Sequence, residues 1–290
     1  MKVCALSLSD AVTLPEFSII RIRVRLHLSV MAIGLERFAS GELRDYDYVM
    51  PSRNHRLDRF LSQVLQVSRS GLRPVLAAGR VRVNGVPVRD RQQRIGPFDR
   101  VELDGELLQS EAPRYLMLNK PAGVVSATSD DQHTTVMDLL PASQRQGLHL
   151  AGRLDFNSTG LVLLTNDGAW SRQLSQPQSQ VRKHYRVTVE QPLTEAYVAA
   201  FSEGMWFAFE GIQTRPATLR IRSAYEADVW LCEGRYHQIK RMFGRFDNKV
   251  LTLHRLAIGH LVLDESLAPG ESRDLLPEEV AGIARLPIKG

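Results

Sequence analysis

The sequence predicts an α+β protein: a small helix-and-hairpin module followed by a larger domain built on a mostly antiparallel sheet. Three observations carry this expectation. After residue 112 short strand-like runs dominate, and helical segments fall irregularly between them instead of alternating as βαβ units. Before it, residues 55 to 88 read as helix, helix and tight hairpin. Between the two lies a polar, proline-containing stretch, Gln109 to Pro113, that reads as a linker.

At 290 residues the chain is long enough for one large core and one satellite domain. No apolar run approaches the length of a membrane span. Cys4 and Cys232 stand far apart and outside any Cys/His cluster, so neither a disulfide framework nor a zinc site is expected. These features suggest a monomer in a reduced, cytoplasmic setting, free of membrane. Charge is unevenly placed. Residues 1 to 49 carry six Lys/Arg and six Asp/Glu, so the formal +5 belongs to the remainder. His55 to Phe98 alone holds nine arginines against Asp58 and Asp90. Such a basic module implies a polyanionic partner, and the planar guanidinium fork suits phosphate.

In chain order, residues 1 to 53 fit poorly with the rest of the chain. Ile20 to Leu26 alternates like a strand without a neighbour to pair with, and the segment is expected to be an over-extended reading frame ahead of Met50 or a disordered arm. From His55 the pattern is regular. Leu57, Phe60, Leu61, Val64 and Leu65 form one helical stripe. Ser68 is expected to cap a second helix carrying Leu72, Val75 and Leu76 and ending at Gly79, with Pro74 kinking it or delaying its start. Arg80 to Val83, Asn84-Gly85 and Val86 to Val88 form a hairpin. The module is expected to close between Asp104 and residue 108.

The large domain, residues 112 to 290, opens with a strand over Arg114 to Leu118 and an Asn119-Lys120-Pro121-Ala122-Gly123 loop, where Lys120 is either a phosphate contact or a solvated strand end. Gly152-Arg153-Leu154-Asp155-Phe156-Asn157-Ser158-Thr159-Gly160 reads as a tight loop ahead of a buried strand, Leu161 to Leu164, which ends in an Asn166-Asp167-Gly168 turn. Lys183 to Val189 alternates as a strand, Thr194 caps a helix through Glu203, and Leu219 to Ile221 pairs with Asp228 to Cys232. Glu233 to Tyr236 turns into a basic helix running to about Phe246. Strands over Val250 to Leu253 and Gly259 to Leu263 and a helix over Leu276 to Leu286 complete the domain.

A lone aspartate in a Gly/Asn/Ser loop usually hydrogen-bonds its own backbone. Here, however, Gly152-Arg153-Leu154-Asp155 with Asn157-Ser158-Thr159-Gly160-Leu161 behind it resembles the catalytic loop of the pseudouridine synthases, in the ribosomal RsuA branch. Asn119-Lys120-Pro121-Ala122-Gly123, Lys183-His184-Tyr185-Arg186-Val187 and His237-Gln238-Ile239-Lys240-Arg241-Met242 occur in the family order, and the front module resembles an S4-like RNA-binding domain. The resemblance implies that uridine in RNA is isomerised to pseudouridine, a rearrangement needing no cofactor and no metal. It implies Asp155 as the catalytic carboxylate, Tyr185 as the base-stacking residue, and Lys240, or Arg241, as the cation beside the carboxylate. Adjacent helical cations point about 100° apart, so only one can face the pocket. Unlike charges at about 4 Å in a partly buried site attract by about 4 kcal/mol before desolvation. His237 is expected to be structural or to face RNA.

Arg56, Arg59, Arg69, Arg80, Arg82, Arg153, Arg235 and Arg241 are the expected RNA contacts, with Arg245, Lys249 and Arg255 adding to the basic surface. The motifs are most similar to those of enzymes acting on small-subunit 16S rRNA, so the implied partner is 16S rRNA or a small-subunit assembly intermediate. The alternatives are a 23S rRNA enzyme of the same family and a non-catalytic RNA-binding protein on the same scaffold.

Overall fold

A computed structural model describes residues 54–284. The expectations for residues 1 to 53, including the strand at Ile20 to Leu26, lie outside the described residues.

The small module is built on its apolar stripe. Leu57, Phe60 and Leu61 are buried along helix α1 (Leu57–Leu65). They pack with Leu72, Leu76, Val81, Val83, Ile95 and Val101, each worth about 1.5 to 3 kcal/mol when fully removed from water. Helix α2 (Arg73–Ala77) starts late, with Pro74 in its first turn where the missing N–H is not needed. Ser68 therefore caps no helix: its Oγ accepts from Gly71 N at 3.2 Å and closes the turn ahead of it. Strands β1 (Val81–Val83) and β2 (Val86–Pro87) flank Asn84 and Gly85, both at positive φ as a tight hairpin requires.

The module also extends beyond Asp104. Strand β3 (Val101–Leu103) turns at Asp104-Gly105 into β4 (Glu106–Gln109), with which it pairs. Gln109 is thus not linker but buried, and its Nε2 donates to the carbonyls of Gly96 and Asp99, both at 2.8 Å.

The large domain is a twisted sheet. Its main strands are β5 (Tyr115–Lys120), β6 (Thr159–Thr165), β7 (Lys183–Val189), β8 (Thr218–Ser223), β9 (Glu226–Leu231), β10 (Val250–Ile258) and β11 (Ser272–Asp274). Their order is β8-β9-β7-β10-β6-β5-β11. Neighbours are antiparallel except β6 and β10, which run parallel with His254 opposite Thr159 and Arg255 opposite Gly160. Strand β6 is buried along nearly its whole length, as its unbroken apolar run demands, whereas β7 alternates.

Helix α3 (Gly168–Ser175) stands where the Asn-Asp-Gly signal predicts a turn. Asp167 Oδ1 accepts from Ala169 N and Trp170 N at 2.8 and 3.1 Å, so that signal is a helix cap. Asp167 Oδ2 also accepts from the Tyr115 hydroxyl at 2.9 Å. Asp167→Ala should lower stability by about 1 to 2 kcal/mol, checked by urea denaturation at constant m. Helix α4 (Glu195–Glu203) begins after Thr194, whose side chain makes no capping bond. Helix α5 (Gln238–Gly244) packs Ile239, Met242 and Phe243 into the core beneath β7 and β9. Helix α6 (Pro277–Ala284) lies against α3. Among the described residues no helix is long and apolar enough to cross a membrane.

Candidate active site

The loop ahead of β6 is fixed almost residue by residue, and through its backbone. Leu154 N donates to Ser126 Oγ at 3.1 Å, and Ser158 N to the Asp155 carbonyl at 3.0 Å. Gly123 N donates to the Phe156 carbonyl at 3.0 Å. Lys120 is 0% exposed. Its Nζ donates to the carbonyls of Pro121, Phe156 and Ser158 at 2.9, 3.0 and 2.8 Å. It is therefore neither a phosphate contact nor a solvated strand end; it ties the Pro/Gly loop to the Asp155 loop. Burial, with the Arg255 and Lys240 charges, pushes its ammonium down to about 8 against the pull of Asp155.

A second cation braces the loop from below. Arg255 on β10 is 3% exposed, so it is not part of the basic surface. Its Nε donates to the Leu161 carbonyl at 2.7 Å and its Nη1 to the Arg153 carbonyl at 3.3 Å, one on each side of Asp155. Its Nη2 is buried without a partner in the protein. Gly160 lies so close to the Arg255 backbone that a Cβ would sit 2.3 Å from its carbonyl oxygen.

With the loop backbone held, the Asp155 side chain is left to the basic helix. Lys240 Nζ stands 3.0 Å from Asp155 Oδ2, and His237 Nε2 is 3.4 Å from Oδ1. His237 and Lys240 share one helix face at spacing i, i+3. Arg241 points elsewhere: both of its terminal nitrogens lie 2.6 Å from the Glu210 carboxylate, and its guanidinium covers Phe207. The turn that aims the helix is built from buried side chains. Gln238 Nε2 donates to Glu233 Oε1 at 2.7 Å, and Gln238 Oε1 accepts from Arg235 N at 3.1 Å. His237 adopts φ +48°, unusual for a non-glycine residue, at the start of α5.

Tyr185 on β7, opposite Arg255 in register, is 8% exposed and forms floor, not wall. The Arg255 guanidinium carbon lies 6.0 Å from the Tyr185 ring centroid. Two aromatic side chains stand out into solvent near the carboxylate: Phe156, half-exposed against His133, and Tyr236, 75% exposed and stacked on His237 at 3.9 Å. A cleft of about 660 Å³ opens beside Lys240, lined by Asn157, Lys249, Asn248, Leu251 and Leu253.

The expected RNA-contacting arginines divide into two sets. Arg56 pairs with Asp58 at 2.7 Å, Arg80 with Asp104, Arg235 with Glu233 at 3.1 Å and Arg241 with Glu210. Arg59, Arg69, Arg82 and Arg153 are exposed, and among the described residues no carboxylate pairs with them.

A carboxylate held in a basic pocket invites comparison with known proteins. Residues 114–244 match the family described as RNA pseudouridylate synthase, and residues 55–101 match the S4 domain. The ribosomal small subunit pseudouridine synthase A of Pseudomonas aeruginosa is 51% identical over 229 residues, covering 79% of this chain and 100% of that protein. The chain belongs to the RNA pseudouridylate synthase family. The protein of the same name from Yersinia pestis is 44% identical over 79% of this chain and 97% of its own. A solved pseudouridylate synthase, 40% identical, superimposes with a TM-score of 0.58 over 79% of this chain and 99% of that one.

As a pseudouridine synthase this chain is an isomerase with an S4 domain at its front. Residue-by-residue reading of the sequence does not find the roles of Lys120 and Arg255 within the synthase, because a lysine and an arginine are ordinarily surface residues. The one available signal is the place of Lys120 between a strand and a Pro/Gly loop.

Proposed function

We propose that this synthase isomerises a uridine of ribosomal RNA to pseudouridine, most specifically in 16S rRNA or a small-subunit assembly intermediate, with the Asp155 carboxylate acting on a base turned out of its stack. The observation that carries the reading is Asp155, its loop pinned by backbone bonds and its carboxylate 3.0 Å from Lys240 and 3.4 Å from His237. A surface that merely bound RNA would have little use for a carboxylate at that point. The small-subunit assignment draws on relatives that carry that name.

In this reading Asp155 either attacks C1′ or removes the C2′ proton, and in both routes Lys240 holds it in place. Tyr185 offers its ring to the detached base. Arg59, Arg69, Arg82 and Arg153 bind phosphates, and those contacts offset the few kcal/mol that extrusion of a base costs. The enzyme works as a cytoplasmic monomer, with residues 54–109 forming the docking module and residues 112–290 the catalytic domain.

The test is tritium release from C5-labelled uridine in 16S rRNA, 23S rRNA and partly assembled small subunits. Release from the small-subunit substrates alone supports the assignment, and release from 23S rRNA alone overturns it. Lys240→Ala should lower single-turnover rate about 100-fold while RNA affinity, measured by filter binding, changes by less than about threefold. Equal losses in both would make Lys240 a phosphate contact instead.

A further inference from the structure

Among the described residues no salt bridge pairs Lys120, Lys183 or Arg255 with a carboxylate; Arg255 and Lys183 neighbour Tyr185, and Lys120 holds the Asp155 loop. Lys120 lies beneath the Asp155 loop, bonded only to carbonyls. Lys183 stands two residues before Tyr185 on the same face of β7. Arg255 lies under the Tyr185 ring with one terminal nitrogen buried and unpartnered. Arg255 is the charge common to both lysines: burial and then the Arg255 charge push the Lys183 ammonium down to about 8, and Arg255 also lowers Lys120. Lys240 already neutralises Asp155. Lys120 shares the pull of Asp155 with Lys240, whereas among the described residues Arg255 and Lys183 have no carboxylate partner. Unbalanced buried charge is costly and calls for a functional reason.

We propose that Arg255, with Lys183 and Lys120 beside it, supplies the positive charge that stabilises the uracil ring while it is detached and anionic, through the Tyr185 ring on which the base rests. The inference rests on the isomerase reading above. When the C1′–N1 bond breaks, both bonding electrons leave with the base, and the uracil carries one negative charge spread over N1, O2 and O4. The ring turns, C5 forms the new bond to C1′, a proton leaves C5 and one is taken up at N1, so nothing is gained or lost. Only during the detached interval does the base carry a full negative charge. A fixed cation behind the stacking surface is worth most at that moment and costs no reorganisation. Arg255 does not touch the reacting atoms, so it is a positioning residue for the charge and for the loop whose ends it holds.

The two parts of that role are separable. Arg255→Lys keeps the charge but loses the pair of hydrogen bonds donated to the Leu161 and Arg153 carbonyls; Arg255→Met loses charge and hydrogen bonds alike. A fluorine at C5 makes uracil a more stable anion, which needs less help to depart. Single-turnover rates would be measured on small-subunit RNA carrying uridine or 5-fluorouridine, following the rearranged nucleoside by nuclease digestion and mass spectrometry.

On uridine, Arg255→Met should be about tenfold slower than Arg255→Lys; on 5-fluorouridine the gap should shrink to about twofold. Lys183→Met, at a half-buried strand position, should show the same narrowing relative to wild type and serves if the Arg255 variants do not fold. Equal factors on both substrates, in the Arg255 pair or in Lys183→Met, would overturn the inference. Failure of the wild-type enzyme to convert any ribosomal RNA would instead sink the underlying substrate reading, an outcome visible before any variant is made.

Discussion

Replacing Asp155 with asparagine is expected to reduce pseudouridine formation by about 1,000-fold or more while leaving the fold intact. The amide has the shape of the carboxylate but can neither attack a sugar carbon nor accept a proton from it. The loop does not depend on the side chain, because its fixing bonds run from Leu154 N, the Asp155 carbonyl, Phe156, Ser158, Arg153 and Leu161. RNA affinity should be retained or rise slightly, since a negative charge leaves a basic site. The measurement pairs tritium release with filter binding and a thermal melt. Turnover within tenfold of wild type would remove Asp155 from the chemistry altogether. Loss of both binding and melting temperature would show that the carboxylate holds the structure together.

The second large effect is structural. Gly160→Ala should destabilise the large domain by about 4 kcal/mol, combining overpacking with backbone strain. The residue sits at φ +100°, and its Cβ would fall 2.3 Å from the Arg255 carbonyl oxygen and 2.8 Å from its nitrogen, both backbone atoms that cannot swing aside. Here the one parallel pairing of the main strands brings β6 against β10. Any relief must separate those strands or lift the loop, and either disturbs the Arg255 bonds around Asp155. A fall in melting temperature of about 10 °C, with turnover reduced further than stability explains, is the expected outcome. Gly244→Ala is the control: a Cβ there meets nothing within 4 Å, and within a helix it should be neutral or stabilise by up to about 1 kcal/mol. Equal melting temperatures for Gly160→Ala and wild type would mean that the β6/β10 junction is looser than its close approach implies.

Local pattern accounts for most of the fold that is legible in the sequence. Lys183 to Val189 alternates without interruption, and it is a strand over those same residues. The stripe from Leu57 to Leu65 becomes α1 for the same reason. Helix α3 escapes because Asn166-Asp167-Gly168 is as good a turn signal as a cap, and only Trp170 and Leu174 hint at a helical face. Strand β4 escapes because Asp104-Gly105 serves as well for the end of a module as for a second hairpin turn.

The site is legible only as motifs. Nothing near Lys240 or Arg241 in sequence says which meets Asp155; that depends on how Glu233 and Gln238 set the helix start. Arg255 is less accessible still. The register slips between Thr188 and Val189, opposite Thr252 and Val250 of β10, so alternation counted from Val250 does not predict which way Arg255 faces, and its bonding partners lie nearly a hundred residues away. Long-range register, rather than composition, decides such a residue.

During synthesis the chain leaves the ribosome N-terminus first. The small module draws its core from Leu57 to Val101 and can fold as soon as those residues emerge. The catalytic sheet cannot: β5, its first strand, is flanked on its outer side by β11, made from Ser272 to Asp274 near the other end of the domain. Contacts that span so much chain form late. A growing molecule therefore holds a finished grip on nucleic acid well before it holds a finished catalyst.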